Sequence, residues 1–171
     1  SEDLTKWPFW QIGEGAFARG KAFYFTKNAE RTDADLILAL TYEPAARARL
    51  NIRTMLADNR EIRLGDAAGA LALYRQNYEG KQRIGAADEF RSVGRAAAIL
   101  AKQTKYDEAL AAFDVIDFEK LTGFWLYELL ISKSKVLWAA GRKNEAEQLR
   151  RRVVEDTSAS EKHRRIAESL Q

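Results

Sequence analysis

Cysteine is absent from this sequence, so disulfides, thiolate metal sites and a cysteine nucleophile are excluded, while the redox compartment stays open. There is one histidine, His163, which leaves carboxylates as the main metal ligands on offer. The acidic pairs Asp33/Asp35 and Asp107/Glu108 fall at helix starts, where the helix dipole already accounts for them. No serine stands in a strand–turn–helix elbow, and His163 lies in a charged segment, EKHRRIAE. No apolar run reaches the ~18 residues of a membrane span. No secretory leader opens the sequence, and Ser1 is not an initiator methionine, so a soluble chain in the cytoplasm or one exported after loss of a leader both fit. The sequence expectation is a protein without catalytic residues, metal or cofactor.

Proline is also scarce, with only Pro8 and Pro44 in 171 residues, whereas alanine, leucine, glutamate, lysine and arginine abound. These residues lose little side-chain freedom in a helix, and the composition predicts an all-α protein. Apolar residues make up 46% and charged residues 31%, ordinary for a globular chain that can bury a core. The net charge of +3 is a mild basic excess, less than strong nucleic-acid binders concentrate.

Apolar positions recur at helical spacing almost throughout. Residues 45–63 place Leu50, Ile52, Met55, Leu56 and Ile62 on one stripe. Asp66 is an expected N-cap for 67–79, a long helix runs through 89–102, and Thr104-Lys-Tyr-Asp107 has the form of a capping box. FWLYELLISKSKVLWAA (124–140) ends at Gly141, a charged helix follows to 155, and Ser158-Ala-Ser-Glu161 has the form of a second capping box. ADLILALTY (34–42) has β-branched content that suits a strand, but its helical setting favours helix.

QIGEGAFARGKAF (11–23) has the look of the glycine-rich loop with which kinases cover ATP phosphates. The likeness fails in detail. The third glycine of that pattern is Ala18, Gly20 stands where valine belongs, and no lysine-bearing strand follows. His163 is followed by Arg-Arg, and Asp117-Phe118 by Glu119, so neither catalytic-loop nor metal-binding motif is present. Gly13 and Gly20, seven residues apart, share one helix face, which predicts a helix whose glycines admit a close neighbour.

The chain repeats. Four short helices carry an alanine near their start, at Ala34, Ala70, Ala109 and Ala146, spaced by 36, 39 and 37 residues. One turn later stand Leu38, Tyr74, Phe113 and Arg150, and longer partner helices upstream place Asp58, Ala97 and Ser134 at matching distances. KYDEALAAFDVI (105–116) resembles the second helix of a tetratricopeptide repeat, and GDAAGALALYRQNYE and GRKNEAEQLRRRVVE resemble it more loosely. The signature proline that closes a unit is missing except at Pro44, and spacings above ~34 residues predict longer helices or turns. The register of the first unit stays open.

The resemblance implies one domain over 1–171, with approximate repeats 15–50, 51–89, 90–126 and 127–155 and a terminal helix at 158–170. It implies a right-handed superhelical stack of antiparallel helix pairs, an α-solenoid of about four pairs, because isolated amphipathic pairs cannot bury their apolar faces. In such a stack the longer helices line a concave groove. This register assigns to it Arg19, Phe23, Met55, Asn59, Arg63, Arg91, Lys102, Lys135 and Trp138. Aromatic and basic groups there suit a peptide or protein segment. The family's carboxylate clamp of lysines and asparagines is not reproduced, since Phe23 and Met55 occupy its positions. The implied function is a non-catalytic protein-binding scaffold. The alternative is RNA or another polyanion held by Arg150–Arg152, Lys162, Arg164 and Arg165, although neighbouring glutamates dilute that field.

Overall fold

The computed structural model describes residues 8–42, 46–79 and 85–170. Among the described residues all regular structure is helical, in two compact units, Ser1–Glu89 and Phe90–Gln171. The first holds α1 (Phe9–Phe25), α2 (Ala29–Thr41), α3 (Ala46–Asn59) and α4 (Ala67–Tyr78). The second holds α5 (Ala87–Lys102), whose first turn belongs to the first unit, then α6 (Tyr106–Ala111), α7 (Gly123–Ala139), α8 (Lys143–Glu155) and α9 (Glu161–Glu168). Pro44 and the break at 80–84 lie outside the described residues.

The glycine-rich stretch is helix α1, packed on α2. A Cβ at Gly20 would stand 3.0 Å from Leu36 Cδ2 and 3.1 Å from Asp35 Cβ, and one at Gly13 3.2 Å from the Tyr42 carbonyl oxygen. The glycines thus set how near α1 and α2 approach. The ambiguous segment 34–42 is helical up to Thr41 and capped by Asn28, whose side chain accepts from Arg31 N–H.

The alanine spacing corresponds to a recurring pattern of buried positions, with a shifted first member. Asp58, Ala97 and Ser134 are buried, and twelve residues after each stands a buried alanine, Ala70, Ala109 or Ala146. Ser134 Oγ donates to the Ala146 carbonyl at 2.9 Å. The corresponding pair in α1 and α2 is Gly20 and Thr32, both buried, followed at the next turn by fully buried Leu36. Ala34 is exposed and Leu38 only half-buried, which corrects the register expected from alanine spacing. A two-residue slip turns a helix by ~200°, enough to exchange inner and outer faces. Thr32 can replace alanine because its hydroxyl donates to the Asn28 carbonyl at 2.7 Å.

Three further boundaries differ from expectation. The helix through 45–63 changes at Arg60–Leu64 into a π turn that closes on left-handed Gly65. The wider turn carries Ile62 outward, 63% exposed, off the apolar stripe. Thr104 has φ of 60° and ends α5, and α6 begins without a side-chain cap, so no capping box forms there. The cap of α9 is Ser160 rather than Ser158, accepting from His163 N–H. Asp66 caps α4 through Gly69 N–H at 2.8 Å, as expected. In the second unit Leu126, Tyr127, Leu130 and Ile131 of α7 pack with Val153 and Ala167 from the two following helices.

Candidate functional site

The sequence of α5 sorts its faces cleanly. Ser92, Val93, Ala96, Ala97, Ile99 and Leu100 are buried, while Arg91 and Lys102 are exposed. Along a third stripe, Gly94, Ala98 and Ala101 look across a cleft at α7. Contacts advance together along the two helices. Phe90 meets Trp125 with ring centroids 6.2 Å apart, and a Cβ at Gly94 would lie 3.6 Å from both Leu129 and Ser132. The cleft has a volume of about 520 Å³. Its floor is apolar, from Ala98, Ala101, Leu129, Val136 and Ala139, and its charged groups are Arg91, Arg95, Lys102, Lys135 and Glu128.

Glu128 is tied from behind. His163 is buried, with Nε2 3.3 Å from Glu128 Oε1 and Nδ1 2.8 Å from Ser160 Oγ. A single neutral tautomer serves both contacts, donating to the carboxylate and accepting from the hydroxyl. Phe124 and Tyr127 flank the imidazole, so the histidine expected on a charged surface is a core residue joining α9 to α7. Burial pushes the Tyr127 phenol up, helped by its hydrogen bond to Asp156 at 2.9 Å. Asp156 is held low by the Ser158 backbone N–H and then by that phenol.

Of the nine groove residues expected from sequence, Arg91, Lys102 and Lys135 meet in this cleft. Trp138 lines a smaller pocket beside it with Lys135, and carries Lys143 over its ring at 5.2 Å. In the first unit, Arg19 makes a two-pronged ion pair with Asp35, at 2.6 and 2.7 Å. Phe23 lies under Arg31, and Arg63 stacks on Tyr24 at 4.3 Å. Asn59 is fully buried, donating to the Ala29 carbonyl at 2.9 Å, and Met55 is half-buried. Phe90, Gly94, Glu128 and the cleft-facing side of Trp125 were missed. Trp125 carried a signal, but its likeness to any core aromatic concealed which side it faced.

Asp107 and Glu108 stand in the first turn of α6, as expected, whereas the other acidic pair and the arginine run have specific partners. Asp33 and Asp35 lie inside α2 and bind Arg60 and Arg19, which replaces the dipole account of them. Arg150 and Arg151 share Glu147, whose carboxyl they hold down at about 2, and Arg152 faces Glu119 at 3.7 Å. Among the described residues no three histidine, aspartate or glutamate side chains gather as a metal site, and no helix is long and apolar enough to cross a membrane.

No protein-family model matches this chain, and neither does any curated protein or solved structure.

Proposed function

We propose that the protein is a non-catalytic interaction scaffold, a right-handed stack of antiparallel helix pairs of tetratricopeptide type that binds a peptide or protein segment. The observation that carries this reading is the cleft between α5 and α7, with an alanine-rich floor and basic side chains at its rim. Small floor residues let a partner's backbone approach closely, and desolvated apolar contact supplies most binding energy in such grooves. The common twelve-residue offset from Gly20 to Thr32, Asp58 to Ala70, Ala97 to Ala109 and Ser134 to Ala146 supports the repeat architecture.

A displayed library of random 16-residue peptides, selected against the full chain, tests this reading. Expected is an enriched pool whose binding is lost in Ala98→Trp, a substitution that fills the cleft while circular dichroism stays unchanged. A library that enriches nothing would remove the proposal. The polyanion alternative is weakened because Arg150, Arg151 and Arg152 already face carboxylates. RNA binding that falls steeply with salt and vanishes when those three arginines are neutralised would reinstate it.

A further inference from the structure

The cleft has two chemically different ends. At one, Phe90 and Trp125 pack together, with Glu128 one turn further along α7. At the other, Lys102 and Lys135 close the rim, and neither has a carboxylate partner among the described residues. The contrast with α8 and α9 is informative. There Arg142, Arg150, Arg151 and Arg165 are each matched by a glutamate one turn away. The lysine end of the cleft is where the second unit leaves positive charge beside an apolar floor without internal compensation.

Resting on the scaffold reading above, we infer that the cleft takes an extended acidic segment, its apolar anchor against Phe90 and Trp125 and its carboxylates at Lys102 and Lys135. Charge complementarity favours this polarity, since a carboxylate at the aromatic end would meet Glu128 beside Arg91 and Arg95, two arginines that already have interactions of their own, whereas at the other end it meets two ammonium groups. Length favours the extended form. From Phe90 to Lys102 the helix rises ~18 Å, which a helical guest spans only by ordering about twelve residues. An extended strand covers ~18 Å in five or six residues and sends alternate side chains inward. Anchor and acid, both facing the cleft, are therefore expected about six positions apart in the guest.

The peptide selection reads all of this once its pool is sequenced and repeated on Lys102→Glu/Lys135→Glu, two exposed positions whose change leaves the fold intact by circular dichroism. The expected pool pairs an aromatic or leucine with aspartate or glutamate six positions away. Its members should bind the double variant at least ~10-fold more weakly, because like charges now meet. The variant should instead enrich lysine and arginine at the acidic positions. A pool that is sensitive to Ala98→Trp but shows no acidic preference overturns this inference and leaves the scaffold reading standing. An acid spaced eleven or twelve positions from the anchor overturns the extended conformation in favour of a helical guest. An empty selection overturns both readings together.

Discussion

At the scale of single residues, position 20 shows how closely α1 and α2 are fitted. Leu36 Cδ2 can swing aside from a new Cβ, but Asp35 Cβ, 3.1 Å away, is fixed to its own backbone. Gly20→Val is expected to destabilise the protein by about 1–3 kcal/mol, the usual range for overfilling a packed contact. Urea denaturation measures this, and an unshifted midpoint would contradict the close approach. Gly20→Ala should fall nearer neutral, because a gain of ~1 kcal/mol in helix propensity offsets part of the crowding. Glycine spacing alone predicted that this face admits a neighbour, and α2 is that neighbour. Thr32 was not legible, since a threonine takes an alanine's place only when its hydroxyl finds a carbonyl, here Asn28. His163 was hidden for a similar reason. Its flanking charges look like surface, and only folding reveals Glu128 behind it.

At the scale of the element, α8 is a helix with polar positions held by its own charge pairs. Glu147 sits between Arg150 and Arg151, and they lower its carboxyl from 4.5 to about 2. A group depressed on folding contributes stability that is fully present above its unfolded value and fades as pH falls through its folded one. The contribution of Glu147 should therefore be complete above about 4.5 and disappear towards about 2. Glu147→Gln should flatten that part of the acid limb while leaving its slope above pH 5 unchanged. Melts recorded at pH 3 and pH 6 on both proteins check the sign. Whole helices were the most legible feature, because Asp66 and Gly141 mark ends that sequence chemistry recognises. The π turn at Arg60–Leu64 was not, since nothing in REIRL breaks helical periodicity. The cleft was half legible. Arg91, Lys102 and Lys135 follow from the repeat register, whereas the side of Trp125 that faces it depends on how α5 and α7 pack.

At the scale of the whole molecule, two kinds of spacing coexist. Between paired small positions the offset is twelve residues each time, whereas from one pair to the next it runs to 26, 27 and 25. The constant offset includes the tight turn, so a residue added there must buckle the turn or rotate one helix against its partner by ~100°. Inserting one glycine between Gln103 and Thr104 is expected to lower the melting temperature by about 5 °C or more. The same glycine between exposed Glu119 and Lys120 should change it by no more than about 2 °C. Equal losses at both sites would show that the two spacings are equally rigid. For the gene, this divides the chain into protected and permissive stretches: codons can be gained or lost between pairs as the lineage drifts, while any slip inside a pair is exposed to selection at once.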